Sequence, residues 1–354
     1  MLWLTFLPAL LLLISLINFL TIRTPHANSQ IDEMVSIIVP LRNEAENVAE
    51  LARCLLAQTG LTNFELIFLD DNSEDRSFEL LTAAATGYSN VRILHGAPLP
   101  PGWVGKVWAL HQLFEASSGQ IIVSIDADVR ITEDAVSKSI TLMKAKALDF
   151  LSPYPRQIAL TLGERLIQPL LQWSWMSTLP LRVAEHASFA SMAVANGQFF
   201  LVRKTALITS GGYESVKAAV LDDVFLARAL LRTGSHGVVV NGAQIATCRM
   251  YSSWSQIEAG YGKSLRHAFG SLIGSLFAIC FLFLTGIAPL ITLLTGGGWL
   301  AFALITGTRI FSALRARTRI IDSLFHPISS TLLIYLIIYS YLMRGEITWK
   351  GRAI

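Results

Sequence analysis

Between residues 35 and 125, four short apolar runs alternate with stretches of helical spacing, and that alternation constrains the fold more than any other feature. Residues 35–39, 64–69, 91–94 and 121–125 read as strands. Residues 44–57, 74–85, 105–117 and 132–145 place apolar side chains at helical intervals. Strands and helices joined in turn by short connections predict an α/β fold, a mostly parallel sheet with helices on both faces. In such a sheet, function gathers at the carboxyl ends of the strands.

Three of the four runs end on polar clusters. The fourth closes on Asp126-Ala-Asp128, two carboxylates one residue apart. Such a pair can converge on one hard cation, which could hold and neutralise a diphosphate leaving group. Alone, most such pairs are solvated turn residues. The second run ends on Asp70-Asp71-Asn72-Ser73. A carboxylate there could accept hydrogen bonds from a base or ribose, while Ser73 or Asp71 could instead cap the next helix. The first run ends on Pro40-Leu-Arg-Asn-Glu44, which on its own is a Pro-led turn into a helix. Random surface carboxylates would not collect three times at the same edge of one sheet.

Three further segments carry chemistry. The loop from Pro98 leads through Trp103 to Lys106 at a helix start, where a lysine can meet a phosphate. The alternative is a solvent-facing lysine beside a core tryptophan. Asp222-Asp223 precedes another helical pattern. A carboxylate there either serves as general base beside an acceptor hydroxyl or caps the helix. Asn196-Gly197-Gln198 precedes a strand-like run, and its glycine permits close backbone approach or simply a turn.

The rest of the chain is apolar. Charged residues are 15% of the sequence against about 25% in soluble domains. The net charge of +3 gives no reason to expect nucleic acid. Residues 2–20 carry no charge and lack the basic start of a signal peptide, so they read as an anchor over 1–22, with Arg23 and His26 on the cytoplasmic side. Residues 158–181 read either as an amphipathic helix pair at the interface, where Trp173 and Trp175 would sit, or as a soluble pair. No charge falls between 268 and 308, long enough for two spans with a turn near Gly286–Pro289 or Gly296–Gly298. Residues 327–343 form a last run, spanning or re-entrant. Cys54, Cys248 and Cys280 match no metal or redox spacing and read as reduced thiols.

In order, Val39-Pro40-Leu-Arg-Asn-Glu44, Asp70 to Ser77, Asp126–Asp128 and Asp222-Asp223 resemble the motifs of family 2 inverting glycosyltransferases, with aspartate at 222 where that family has glutamate. The resemblance covers residues 34–265 and implies the GT-A fold, Rossmann-like, between N-terminal and C-terminal transmembrane helices, the latter over 268–354. It implies Asp70 and Asp71 around a uridine, with Pro40, Glu44 and Lys106 in the donor site. Asp126 would approach ribose and metal, Asp128 would hold Mg or Mn against the diphosphate, and Asp223 would act as base. The loop 99–106, Asn196-Gly-Gln-Phe-Phe and Trp349-Lys-Gly-Arg352 are similar to the branch of hopanoid-associated and carotenoid (diaponeurosporenoate) glycosyltransferases. That branch implies a nucleotide-sugar donor such as UDP-glucose, a membrane-lipid acceptor, and a multi-pass protein of a bacterial plasma membrane with its catalytic domain in the cytoplasm. The Gln-x-x-Arg-Trp motif of processive synthases is replaced at Gln256 by Gln-Ile-Glu-Ala-Gly. A polyprenyl phosphate or diacylglycerol acceptor remains open, with Arg315, Arg317 and Arg319 as a cationic cluster for the former. A non-catalytic binding protein and a transporter are the competing classes.

Overall fold

The structure is a computed structural model and describes residues 3–187, 189–294, 298–343, 348–349 and 352–353. In chain order the first elements are α1 (Trp3–Thr21), β1 (Val35–Leu41), α2 (Val48–Leu56), β2 (Phe64–Asp70), α3 (Ser77–Ala85), β3 (Val91–His95), α4 (Gly105–Ala116) and β4 (Ile121–Ile125). There follow β5 (Val129–Ile131), α5 (Ala135–Ala145), β6 (Phe150–Tyr154), β7 (Arg156–Gln157), α6 (Leu162–Thr178) and α7 (Leu181–Ala187). Then come β8 (Phe199–Arg203), α8 (Lys204–Thr209), α9 (Asp222–Arg232), β9 (Gly237–Asn241) and β10 (Ala246–Cys248). The C-terminal helices are α10 (Trp254–Ala268), α11 (Leu272–Leu282), α12 (Ala288–Leu294), α13 (Trp299–Ala316) and α14 (His326–Leu342). Two compact units result: Arg23–Arg156 with Val183–Cys248, and Met1–Ile22 with Gln157–Arg182 and Arg249–Ile354.

The first unit is built on a seven-stranded sheet of order β3-β2-β1-β4-β8-β6-β9. The four strands expected from the sequence are parallel neighbours. Strand β8 runs antiparallel to β4 and β6, which makes the sheet mixed. The chain winds outward from β1 through β2 and β3, then returns to the other side of β1 as β4. That reversal is a switch point, where a crevice opens beyond the strand ends. The registers show it opening. Pairing of β1 with β4 stops at Ile38 and Ser124, whereas β1 follows β2 to Leu41 and Asp70. Pro40 lies past the last β1–β4 pair and has no N–H to extend that ladder. Because β8 is antiparallel, its amino end meets the carboxyl end of β4, Phe199 opposite Ile125. The 196–198 turn is thereby delivered to the crevice.

Side chains of Ile38, Ile67, Val107, Leu113, Ile122 and Phe150 are fully or nearly fully buried in the core between the sheet and helices α4 and α9. Burial stabilises each by roughly 1.5–3 kcal/mol. Gly237 is required here: a Cβ on it would stand 2.3 Å from the Phe150 ring.

The second unit is helical. Buried Asn18 of α1 donates to Met176 O at 2.8 Å and Leu179 O at 2.7 Å, and accepts from Leu181 N at 3.2 Å. It thus satisfies carbonyls at the carboxyl end of α6, which that helix leaves unpaired. Helix α6 is capped at its start: Thr161 Oγ1 accepts from Glu164 N, and Glu164 Oε2 accepts at 2.6 Å from Leu160 N, one residue before the cap. The interfacial reading of this segment does not hold for Trp173, which is 1% exposed. Its indole N–H donates to Thr308 at 2.7 Å, so the tryptophan belongs to the interior of the helical unit. Glu164 is fully buried and pairs with Arg249 at 3.2 Å.

By length and composition, Leu272–Leu294 and Ile320–Leu342 are two helical runs able to cross a membrane. At 1.5 Å per residue, each is about 34 Å long, near the thickness of a bilayer core. The turn expected at Gly286–Pro289 is absent. A π-helical segment, Phe283–Ile287, carries the helix straight into α12. Pro289 lacks an N–H and its ring crowds the preceding turn, and the wider turn relieves both. Of the alternative turn at Gly296–Gly298, only Gly298 lies within the described residues. Exposed Phe277 (75%), Ile273 (79%) and Leu294 (77%) line the outside of the first run.

Candidate active site

The loops after β1 and β2 are laced together. Asn43 and Asn72 both take the left-handed backbone conformation, with φ of 52° and 55°, which asparagine tolerates better than most residues. Arg42 Nη1 donates to Asp71 O at 2.7 Å and Asn72 O at 2.9 Å. Ser73 Oγ accepts from Asn43 N, Ser77 Oγ from Glu44 N, and Asp75 Oδ2 from Ala45 N. Ser73, Asp75 and Ser77 therefore brace the neighbouring loop. Asp70 and Asp71 are 4% and 2% exposed. One oxygen of Asp70 accepts from Ser73 N at 3.2 Å, and the other, buried, has no partner. Asp71 packs under Gly96 at the end of β3, where a Cβ would meet the Asp71 backbone at 3.1 Å. Glu44 Oε2 accepts from Asn47 at 2.8 Å.

The Asp126–Asp128 turn follows β4. Asp126 N donates to Gln198 O at 3.1 Å, tying it to the turn before β8. Lys106, in the first turn of α4, lies 2.7 Å from Asp126 Oδ2. Burial alone would lower its ammonium, but Asp126, Asp222 and Asp223 outweigh burial and hold it above the usual lysine range. Burial, then the charge of Asp126, pushes Asp128 up to about 6, against a hydrogen bond from the Cys248 thiol. Burial and Asp128 together raise that thiol, so it stays protonated and remains a donor. Gln198 Nε2 donates to Cys248 Sγ at 3.0 Å, and Asn196 in turn holds Gln198 at 3.2 Å.

Asp223, in the first turn of α9, accepts from Gly197 N at 2.7 Å and from its neighbour Val224 N at 2.8 Å. Burial first, and Asp222 second, push it up to about 6 against the pull of Lys106. A Cβ on Gly197 would lie 3.3 Å from Lys106 Nζ and 3.4 Å from Asp223 Cβ. Glycine is what lets these groups close on one another. Buried Tyr213 hydrogen-bonds with Ser124 below them, and its phenol is raised by burial and by Asp222.

The structure thus gathers Lys106, Asp126, Asp128 and Asp223 around the 196–198 turn, at the carboxyl end of β4. Pro40, Glu44, Asp70 and Asp71 lie at the ends of β1 and β2, on the same edge of the sheet. Gln198 belongs to the Asn-Gly-Gln turn that the sequence marks, and Ser124 to the strand end that carries Asp126. The sequence carries no site signal for Cys248 or Tyr213. Lys350 and the side chains of Trp349 and Arg352 lie outside the described residues.

The donor set fits a divalent cation. Asp128 Oδ1 is buried without a hydrogen-bond partner, a ligand atom in waiting. Among the described residues no three His, Cys, Asp or Glu side chains converge as a metal cage. Two carboxylates would leave the remaining positions to diphosphate and water, the usual arrangement for Mg²⁺.

The sheet topology is that of the GT-A fold. Residues 36–211 match the family model for glycosyl transferase family 2, so the chain carries a family 2 glycosyltransferase domain. The chain is 23% identical over 238 residues to a 4,4'-diaponeurosporenoate glycosyltransferase of Staphylococcus haemolyticus, covering 65% of this chain and 58% of that one. It is 32% identical over 112 residues to a beta-monoglucosyldiacylglycerol synthase of Trichormus variabilis, covering 31% and 23%. The chain thus spans less than two thirds of the length of these relatives. Among solved structures, a mannosyltransferase of Pyrobaculum calidifontis in complex with GDP-Man and Mn²⁺ shares the fold. Its TM-score is 0.55 at 17% identity, over 93% of this chain and 94% of that one.

Proposed function

We propose that this protein is a membrane-bound, inverting, non-processive glycosyltransferase that moves a hexose from a nucleotide sugar, UDP-glucose in the first instance, to a lipid acceptor of the carotenoid or hopanoid kind. The observation that carries the reading is the cluster in which Asp223, pinned by Gly197 N at 2.7 Å, lies beside a lysine 2.7 Å from Asp126. A base, a cation and the Asp-x-Asp turn stand together at the switch point. The named relatives act on lipid-type acceptors, which supports the acceptor class. The two long apolar helical runs support a membrane location.

In this reading Asp70 and Asp71 hold the nucleoside, with Pro40 and Glu44 beside it. Asp126 and Asp128 would hold Mg²⁺ or Mn²⁺, which when bound neutralises charge on the diphosphate. Lys106 supplies a further positive charge where the leaving group departs. The acceptor oxygen attacks the anomeric carbon from the face opposite the diphosphate. A new C–O bond forms there, and the bond to the diphosphate oxygen breaks with its electron pair. The acceptor proton passes to the Asp223 carboxylate. One displacement inverts the anomeric centre and needs no covalent sugar–enzyme intermediate.

The test is mass spectrometry of a bacterial lipid extract after incubation with a panel of nucleotide sugars, using wild type and the Ala variants at 126, 128 and 223. A lipid product made by wild type and lost in all three supports the reading. Equal product from all four proteins, or none from any donor, would sink it.

A further inference from the structure

We propose that Gln198 and Cys248 are positioning residues for Asp128, the end of a directed relay that turns one carboxylate oxygen toward a divalent cation. The relay starts at Ser152 in β6, whose hydroxyl accepts from Asn196 N at 2.8 Å and donates to Asn196 O at 3.1 Å. Asn196 Oδ1 accepts from Gln198 N at 2.8 Å, which leaves Asn196 Nδ2 to donate to Gln198 Oε1 at 3.2 Å. That bond uses the amide oxygen of Gln198, so its Nε2 donates to Cys248 Sγ at 3.0 Å. The sulfur accepts from this side, and its one proton goes to the Asp128 carboxylate. Each amide orientation is fixed by the bond before it.

Ser152, Asn196, Gln198 and Cys248 are all buried, and every polar side-chain atom among them has a partner. At the end of the relay Asp128 Oδ1 is buried with none. An unmet buried polar atom is unfavourable, and one left over at the end of a satisfied network calls for a ligand. The backbone holds the same geometry. Cys248 stands opposite Val129 in the β10–β5 pair, next to Asp128 in the chain. Gln198 O also accepts from Asp126 N at 3.1 Å, so one residue braces both carboxylates. Among the described residues no three His, Cys, Asp or Glu side chains converge, so Cys248 acts through Asp128 and not as a third ligand. Removing a group that orients a metal-ligating carboxylate typically weakens metal binding about 10- to 100-fold. The assignment rests on the metal role given to Asp128 in the proposed function.

The experiment titrates Mn²⁺ into the full chain in detergent with UDP present, reads free Mn²⁺ by EPR, and melts each protein without metal. The proteins are wild type, Cys248→Ala, Cys248→Ser and Gln198→Met. Cys248→Ala should raise the Mn²⁺ Kd about tenfold or more. Cys248→Ser keeps a donor in place and should restore the Kd to within about threefold of wild type. Gln198→Met keeps the volume, frees the sulfur from its amide donor, and should raise the Kd several-fold. It carries the test if Cys248→Ala does not fold. A Kd equal to that of wild type in every folded variant, with only Tm lowered, makes the network mere packing and overturns the proposal. A Cys248→Ser Kd as high as that of Cys248→Ala overturns it as well. So does a sulfur-to-metal charge-transfer band with Cd²⁺ that Cys248→Ser lacks, because the thiol is then a ligand itself. Wild type that binds no Mn²⁺ overturns the relay and the metal role together. Transfer to lipid is assayed on the same samples. Transfer with one Kd in all four proteins removes the relay alone, and the expected order of Kd without transfer removes the transferase reading alone.

Discussion

Replacing Asp223 by Asn separates a base from a brace. Asparagine keeps the volume and one acceptor for Gly197 N, but cannot take a proton. Loss of a general base lowers turnover by about 10² to 10⁴. Stability should move little. Asp223 rises from an ordinary 3.8 to about 6 in the fold. Its folded value lies above its unfolded one, so stability falls as pH rises from about 4 to about 6 and stays down above that. Two units correspond to roughly 3 kcal/mol, which Asn would recover near pH 7.5. Against that stands the lost charge-assisted bond from Val224 N, worth about 1.5–3 kcal/mol. The two nearly cancel. The assay is release of nucleoside diphosphate with a lipid alcohol acceptor between pH 5 and 8, beside a thermal melt. Wild type should show an acid limb near pH 6, and the variant should be slow and flat. Turnover within tenfold of wild type, with the limb intact, would refute the base. A large fall in Tm would make Asp223 a structural brace.

Other perturbations test other parts. Gly197→Ala pushes a Cβ between Lys106 and Asp223, at 3.3 and 3.4 Å, and should cut turnover about tenfold through a shift of a few tenths of an ångström. Unchanged kinetics would argue against the close approach. Asn18→Ala removes two donated bonds and one accepted bond in the helical unit, and should lower stability by about 2–4 kcal/mol in a melt in detergent. Chelation of divalent cations should abolish transfer, with Mn²⁺ or Mg²⁺ restoring it, and Asp128→Asn should raise the half-saturating metal concentration at least tenfold. Transfer indifferent to a chelator would contradict the role given to Asp128.

The first four strands were legible because each is an apolar run closed by polar residues, and local pattern is enough to mark such a strand. Strand β6 was not, because Pro153 sits inside it and proline argues against a sheet interior. Strands β5 and β10 are three residues each, too short for any period to register. Partners remote in sequence account for the other differences. Trp173 reads as interfacial until Thr308, 135 residues on, takes its N–H. Glu164 is fully buried, and its partner Arg249 lies 85 residues on. Cys248 carries no motif, and its bond to Asp128 exists only because β10 pairs with β5 across Cys248 and Val129. Lys106 reads either as a phosphate contact or as a solvent-facing lysine, and the structure pairs it with Asp126 instead.

The central claim is a single inverting displacement of sugar onto lipid, and the anomeric configuration of the product tests it most directly. Purified protein is incubated with an α-linked UDP-glucose donor and lipid extract, and the anomeric proton coupling of the glycolipid is read by NMR. The account predicts a β-linked product from wild type and none from Asp223→Asn. An α-linked product, or free glucose with no glycolipid, would contradict it.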